Sequence, residues 1–135
     1  MLTVVAALIE SHGKLLVCQR RRGDAFALQW EFPGGKVKAG ETRPDALARE
    51  LREELGVEAR IGSEVYRTRH QYPGMREALE LIFFAASLDA AAIRNLAFES
   101  MEWRAPEQLA ELDFLPADRE LVDALASGRL KLSSG

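Results

Sequence analysis

Cysteine is almost absent from this sequence, and so are long apolar runs. Cys18 is the only cysteine among 135 residues, so no intrachain disulfide can form, and its apolar neighbours predict a buried core side chain. No apolar stretch reaches the roughly 18 residues that a membrane-spanning helix needs. These absences argue against a disulfide-stabilised scaffold and a membrane protein, and we expect the chain in the cytoplasm.

Concentrated positive charge is also missing. The formal net charge is −3, and basic residues are scattered except for the run at residues 20–22. Because nucleic-acid-binding proteins usually carry a concentrated basic surface, we expect neither polymeric nucleic acid nor a membrane as partner. The phosphate-binding pattern G-x(4)-G-K-S/T does not occur, which excludes a P-loop enzyme. A small anionic ligand would require only local positive charge.

The chain mixes strand-like and helix-like segments without regular alternation. The β-prone runs predict strands or extended pieces at residues 4–9, 14–20, 30–33, 57–68, 78–88 and 101–104, with a hairpin between the first two. Helices are predicted from Thr42 to Gly56 and over residues 106–112 and 116–127. This order predicts an α/β (α+β) fold, in which a mixed β-sheet is sandwiched between helices. The length fits a single domain over residues 1–130, followed by a frayed tail at residues 131–135.

The first predicted helix has clear end signals. Thr42 followed by Asp45 resembles a capping box. Pro44 falls in the first turn, where a missing N–H costs nothing. Gly56 follows the last apolar residue, where glycine commonly ends a helix.

An acidic stripe adjoins the apolar stripe of this helix. At about 100° per residue, Glu50, Glu53 and Glu54 fall within an arc of roughly 100°. Like charges at this spacing destabilise a helix, and acids near its C-terminus oppose the macrodipole. The arrangement becomes favourable when a divalent cation neutralises it, and hard oxygen ligands beside substrate phosphates are typical of Mg²⁺ sites. The alternative is a solvated acidic face relieved by Arg49 and Arg52.

A sequence motif spans this helix and the loop before it. Residues 35–57 read GKVKAGETRPDALARELREELGV and resemble the Nudix box, G-x(5)-E-x(7)-R-E-U-x-E-E-x-G-U with U apolar. Every specified position matches, namely Gly35, Glu41, Arg49, Glu50, Leu51, Glu53, Glu54, Gly56 and Val57. The preceding WEFPGGK at residues 30–36 resembles the MutT-like branch of the family. FLPAD at residues 114–118 resembles the base-contacting segment of MutT-like and CTP-pyrophosphohydrolase-like members.

The resemblance implies the Nudix fold, an α/β/α sandwich, and a hydrolase acting on phosphorus-containing anhydrides. The expected enzyme is a Mg²⁺-dependent nucleoside triphosphate pyrophosphohydrolase, with Mn²⁺ as an expected substitute. It would convert a substrate such as 8-oxo-dGTP to the monophosphate and pyrophosphate, a role in nucleotide-pool sanitisation. CTP, methyl-CTP or another nucleoside-diphosphate derivative is the alternative substrate, and a non-catalytic nucleotide-sensing module is the distant alternative. The chain is expected to be a monomer or a homodimer.

The resemblance also implies roles for the box residues. Glu50, Glu53 and Glu54 are the expected metal ligands, together with the backbone carbonyl of Gly34, although Glu50 is alternatively the base that activates water. Arg49 is expected to fix the carboxylates, through Glu41 or Glu53, without touching substrate. Glu41 either binds metal through water or holds the loop before the helix.

Substrate contacts are implied outside the helix. Arg20 corresponds to a phosphate-binding arginine, and Gly35 and Lys36 lie in the approach to the box. Asp118 is the expected base contact; an ionised aspartate would accept hydrogen bonds from a base N–H, and its alternative is a helix-terminal charge near Arg119. Further candidates that could flank a base by stacking, or alternatively belong to the core, are Phe26, Tyr72 and Phe83.

One departure leaves the number of metal ions open. Some relatives supply a further metal-binding glutamate six residues before the tryptophan equivalent to Trp103, where this sequence has Ala97. Glu80, Glu99 and Glu102 are the possible substitutes.

Overall fold

The computed structural model describes residues 1–132, and the strands and helices below are those of this part of the chain. The strands are β1 (Leu2–Ser11), β2 (Lys14–Gln19), β3 (Trp30–Glu31), β4 (Gly34–Lys36), β5 (Arg60–His70), β6 (Leu79–Ser87) and β7 (Ser100–Arg104). The α-helices are α1 (Arg43–Leu55) and α2 (Arg119–Ala126). Short 3₁₀ helices cover Ala90–Ala92, Pro106–Glu111 and Pro116–Asp118.

Strand β1 lies at the centre of the sheet. It runs parallel to β6 and antiparallel to β4, where Val5 lies opposite Gly35. Strand β5 pairs antiparallel with β6 and forms one edge. Strand β2 pairs with β3 and β7, and it meets β1 only at the predicted hairpin, at Glu10 opposite Leu15 and Ser11 opposite Lys14. The predicted mixed sheet is confirmed, and the two hairpin strands diverge into its two halves.

Helices cover both faces of the sheet, as predicted. On one face, Leu47, Leu51 and Leu55 of α1 are fully buried in a cluster that includes Ile82 of β6. On the other face, buried side chains of α2 pack with Phe83 and Phe114. Cys18 is fully buried in the α1 cluster, and burial raises the pKa of its thiol. Within residues 1–132, every helix falls short of the length and apolarity required to span a membrane.

The ends of α1 follow the sequence signals. The Thr42 side chain accepts a hydrogen bond from the Asp45 N–H at 3.2 Å, which satisfies one free donor of the first turn. At the other end Gly56 adopts a left-handed conformation with φ 67°, and its N–H bonds to the Arg52 carbonyl. This fixes where the acidic stripe ends.

Some predicted boundaries differ from the structure. Strand β5 begins at Arg60, not at residue 57, because Val57 is buried in the α1 cluster directly after the helix cap. The predicted helix at residues 106–112 is a 3₁₀ helix over Pro106–Glu111, a common form for short pieces. The predicted helix at residues 116–127 begins as the 3₁₀ turn Pro116–Asp118 and continues as α2. Strand β4 was not predicted. Of the predicted frayed tail, residues 133–135 lie outside the described residues, and Leu132 packs partly against the core.

Candidate active site

Two glycines bring β4 close to both β1 and α1. A Cβ atom on Gly34 would overlap the Val5 carbonyl oxygen of the neighbouring strand. A Cβ atom on Gly35 would overlap the Glu50 carboxylate on α1. Glycine is therefore required at position 34 by the backbone of β1, and at position 35 it lets the Glu50 carboxylate lie directly against β4.

Arg49 joins three carboxylates of the predicted site. Its Nε and Nη2 donate to the two oxygens of Glu41 at 2.6 and 3.0 Å. Its Nη1 donates to Glu50 at 2.7 Å and to Glu53 at 3.3 Å, and Nη2 also reaches the Lys36 carbonyl at 3.1 Å. The structure thus places Arg49 where it orients the acids and bridges the helix to β4.

Glu41 is held in the loop between β4 and α1. Its Oε1 accepts the Lys38 N–H at 2.8 Å in addition to the contacts from Arg49. The hydrogen bonds from Arg49 and then from Lys38 lower the pKa of Glu41 to about 2. The carboxylate is therefore ionised at all physiological pH values, and it fastens the loop.

Glu54 points away from Arg49, towards β4. Its Oε1 accepts the Gly34 N–H at 3.0 Å. Burial, followed by the negative charges of Glu50 and Glu31, raises the pKa of Glu54 to about 9. In the protein without a cation, Glu54 therefore carries a proton at neutral pH.

The acidic stripe was predicted to bind a divalent cation. Within residues 1–132, no three or more histidine, cysteine, aspartate or glutamate side chains converge in a ready cation site. Glu50 and Glu53 turn towards Arg49, whereas Glu54 bonds to Gly34. The donors nevertheless fit a hard cation, because all are oxygens on one helix face, and burial followed by neighbouring negative charge already holds a proton on Glu54.

The structure separates the three candidates for a further metal-binding glutamate. Glu80 is buried on β6 and contacts three arginines, Arg43, Arg67 and Arg69, at 3.4, 3.8 and 3.7 Å. These arginines neutralise its carboxylate, and its role as a metal ligand stays a prediction.

Glu102 is similarly paired, at 2.7 Å, with Arg104, and its role also stays a prediction. Glu99 is exposed and follows a loop that bonds to the end of α1, through the Leu96 N–H and the Glu54 carbonyl at 3.0 Å. Its own N–H donates to the Gln19 carbonyl at 2.9 Å. Of the three candidates, Glu99 is the one whose carboxylate pairs with no arginine within residues 1–132.

A cleft of about 390 Å³ opens beside Glu54. It lies between the glycine strand β4, the β2–β3 loop and the turn before α2. It brings together one predicted metal ligand, Gly34, with six residues predicted to contact substrate, namely Arg20, Phe26, Gly35, Lys36, Tyr72 and Asp118.

Asp118 lies at the inner wall of this cleft and is 4% exposed. Burial, followed by the charge of Glu31, raises the pKa of Asp118 well above its ordinary value, although the Phe32 backbone N–H donates to it. Burial thus disfavours the ionised form, and the expectation of an ionised aspartate stays a prediction. Asp118 also lies at the N-terminal end of α2, the position that the alternative of a helix-terminal charge requires, and the neighbouring Arg119 bonds to Asp113 and to the Phe114 carbonyl.

Arg20 lies at the end of β2, at the cleft wall. Its Nη1 donates to both oxygens of Glu31, at 3.2 and 3.3 Å, and its Nε donates to the Ala25 carbonyl at 2.7 Å. Glu31 lines the cleft but was not singled out from the sequence. Pairing residues 14–20 with residues 30–33 as neighbouring strands would have placed it beside Arg20.

The two aromatic candidates contact each other at the mouth of the cleft. The ring centroids of Phe26 and Tyr72 lie 4.9 Å apart, and His70 meets Tyr72 at 4.3 Å. The Tyr72 hydroxyl accepts the Ala117 N–H at 3.2 Å, which ties it to the turn that carries Asp118. Phe83, by contrast, is a fully buried core residue.

Comparisons with known proteins agree with this geometry. The family described as NUDIX domain matches residues 1–125. The chain is 36% identical over 129 residues to the CTP pyrophosphohydrolase of Escherichia coli strain K12, covering 96% of this chain and 94% of that one. It is 35% identical over 130 residues to a putative 8-oxo-dGTP diphosphatase 2 of Mycobacterium tuberculosis, covering 91% and 86%. The solution structure of the Escherichia coli ORF135 protein superposes with a TM-score of 0.76 at 35% identity, covering 96% of this chain and 91% of that one.

Proposed function

Because this chain belongs to the Nudix family and is a hydrolase of that family, we propose that it cleaves nucleoside triphosphates to monophosphate and pyrophosphate with Mg²⁺. The observation that carries this proposal is that the acidic helix and the proposed base-contacting segment line the same cleft. Glu54 of the acidic helix and Asp118 of the base-contacting segment both line it, with Arg20 between the strands. We propose the cytoplasm, where nucleotides are made and used, as the compartment.

The divalent cation would be held by Glu50, Glu53, Glu54 and the Gly34 carbonyl. Such a cation neutralises phosphate charge and makes a bound water more acidic. Arg49 keeps Glu50 and Glu53 at one end of the guanidinium, so the carboxylates are oriented before substrate arrives. Glu54 would give up its proton to such a cation, since positive charge would offset the burial and the neighbouring negative charges that raise its pKa.

The phosphate chain would lie along β4. Arg20 contributes a fixed positive charge and a planar set of N–H donors, which suit phosphate oxygens. Lys36 is exposed at the end of β4 and contributes a second, mobile positive charge. Water would attack the β-phosphorus between the acidic helix and Arg20 and lose its protons, while the charge spreads over the phosphoryl oxygens. The bond from the β-phosphorus to the oxygen shared with the α-phosphorus would break, so that the monophosphate leaves and pyrophosphate keeps the water oxygen.

The base would be read by Asp118 in its protonated form. A neutral carboxyl group has one O–H donor beside an acceptor oxygen, the same pattern that an asparagine amide offers. Such a pair complements an edge with an acceptor next to an N–H donor, as in the O6 and N7–H of 8-oxoguanine. The N3 and amino group of cytosine offer the same combination, and this favours a CTP-type substrate as the second candidate.

The test is a panel of nucleotides with Mg²⁺, Mn²⁺ or a chelator, in which pyrophosphate and phosphate release are measured separately. The panel contains 8-oxo-dGTP, dGTP, CTP, dCTP, ATP and a nucleoside-diphosphate sugar. We expect pyrophosphate release that requires a divalent cation and is fastest with 8-oxo-dGTP or CTP. Release of phosphate alone would contradict the proposed bond, and absence of turnover would favour a nucleotide-sensing module.

Variants connect this activity to the acidic stripe. Glu53→Gln removes one proposed ligand, and we expect the rate to fall by a factor on the order of 10³. Glu58→Gln is the matched control, because Glu58 is exposed after the end of α1 and its ion pair among residues 1–132 is with Arg52. Equal rates in the two variants would remove the metal assignment of Glu53.

A further inference from the structure

Glu31 is a half-buried carboxylate that the metal and base roles do not use. It lies on β3 opposite Cys18 of β2, and its side chain is 19% exposed at the wall of the cleft. A carboxylate in such a place is costly unless it is paired. The residue that pairs with Glu31 therefore indicates the role of this carboxylate.

That partner is the predicted phosphate ligand, Arg20. The Arg20 N–H bonds to the Gln29 carbonyl at 2.9 Å, which sets the end of β2 against the start of β3. The guanidinium is then held at two points, by Glu31 at Nη1 and by the Ala25 carbonyl at Nε. The third nitrogen, Nη2, carries two further N–H donors of the same rigid plane.

We propose that Glu31 is the positioning residue for Arg20 and fixes its guanidinium plane for the phosphates of the substrate. This inference rests on the proposed function, because it takes Arg20 as a phosphate ligand. Arginine has a long flexible side chain, so an unpaired Arg20 would have to be ordered when substrate binds. Prior ordering by Glu31 removes that cost from the binding step.

The same contacts extend to the aromatic wall of the cleft. Arg20 holds the Ala25 carbonyl, and the next residue, Phe26, is held against Tyr72 although it is 46% exposed. Phe26 has a φ of 55°, a left-handed conformation that costs energy for a non-glycine residue. The loop therefore needs an anchor, and Arg20 supplies it when Glu31 fixes the guanidinium.

If Glu31 acted only through its negative charge, its removal would have the opposite effect on substrate binding from that expected for a positioning residue. Its negative charge would repel a polyphosphate, so its removal would strengthen binding. A positioning role predicts weaker binding when the hydrogen-bond acceptor is lost. It also predicts that a neutral side chain which still accepts from Arg20 preserves most of the binding.

Two variants of Glu31 separate these roles. Glu31→Ala removes the acceptor, and we expect KM to rise about tenfold, the effect of losing roughly one hydrogen bond to a charged group, with kcat changed by less than about threefold. Glu31→Gln keeps one acceptor oxygen, so KM should stay within about threefold of the wild-type value. Glu58→Ala, which breaks the exposed Arg52 pair, is the control and should leave both constants unchanged.

A double-mutant cycle tests the route through Arg20. In the Arg20→Ala background, Glu31→Ala should change KM by less than about twofold, because its partner is already gone. The cycle is repeated with the Kd of an α,β-methylene nucleoside triphosphate, measured by calorimetry, in place of KM. The second cycle therefore gives a result even for a protein without turnover. Chemical unfolding of each variant verifies that the fold is retained.

The outcomes are distinct. Lower KM and Kd in both Glu31 variants would show that Glu31 acts by charge repulsion and would overturn the positioning role. The same conclusion would follow if Glu31→Ala changed KM equally in the wild type and in the Arg20→Ala background. If wild-type protein turns over no nucleotide, the proposed function fails. The Kd cycle still decides the inference in that case, and a protein that binds no triphosphate analogue overturns both.

Discussion

Replacing Glu54 with glutamine should stabilise the folded protein at neutral pH while it destroys activity. Glu54 lies beside two other carboxylates, and burial together with their charges raises its pKa to about 9. In the unfolded chain the pKa of the same group is near 4.5, the ordinary value for a glutamate. Between these two values the folded state keeps a proton that the unfolded state releases. The free energy of unfolding therefore falls as pH rises through this window.

The size of the effect follows from the width of the window. One proton held only by the folded state lowers the free energy of unfolding by about 1.4 kcal/mol per pH unit. From pH 5 to pH 8 the loss reaches about 4 kcal/mol at most, and movement of the side chain towards water reduces it. Glu54→Gln keeps an oxygen for the Gly34 N–H and has no proton to lose. The variant should therefore gain at least about 1 kcal/mol over the wild type by pH 8.

The assay is urea unfolding of both proteins at pH 5, 6, 7 and 8, with a chelator and then with Mg²⁺. Glu31 and Asp118 also have raised pKa values, but they are present in both proteins, so the difference between the two curves isolates Glu54. Mg²⁺ should stabilise the wild type at pH 8 and the variant much less. Parallel pH curves for the two proteins would refute the buried, charge-repelled state of Glu54.

Two further predictions concern the walls of the cleft. Gly35→Ala places a methyl group against the Glu50 carboxylate, which is the flexible end of a side chain, so we expect nearly normal stability and a rate reduced on the order of 10²-fold. Gly23→Ala is the control, because its methyl group would meet open space. Equal rates in the two variants would contradict the close approach of Glu50 to Gly35. Asp118→Asn keeps one donor and one acceptor but cannot ionise, so the ranking of bases should persist. The loss of binding expected for the wild type as pH rises and Asp118 ionises should disappear in this variant. A reordered ranking at pH 7 would show that Asp118 is ionised there.

The fold could be predicted because its signals are local. The cap at Thr42, the left-handed glycine at position 56 and the leucine stripe each specify α1 from a few neighbouring residues, and all three are confirmed. The mixed sheet followed from the irregular order of strands and helices. Strand β4 was missed because glycines carry no strand signal, and it forms only because β1 presents a partner.

The electrostatic state of the cleft could not be predicted, since it depends on contacts between distant segments. Asp118 belongs to a turn that bonds to β3 through Leu115 and Trp30, and this brings it near Glu31 and out of water. Glu80 looked like a free acid, yet three arginines from β5 and α1 surround it. Each of these states is set by charges that lie far away in sequence.

The acidic side chains of α1 are neutralised in two different ways, by an arginine and by a proton. Arg49 is the arginine that contacts Glu41, Glu50 and Glu53, and these contacts hold two of the proposed ligands without covering Glu54. A second arginine at Glu54 would stabilise the protein without a cation, but it would also compete with the cation for the same oxygens. Leaving Glu54 to be neutralised by a proton keeps the site reversible, because a proton is displaced by a divalent cation more readily than a fixed guanidinium. The instability that Glu54 adds above pH 5 is therefore a consequence of the same arrangement that allows the helix to take up metal.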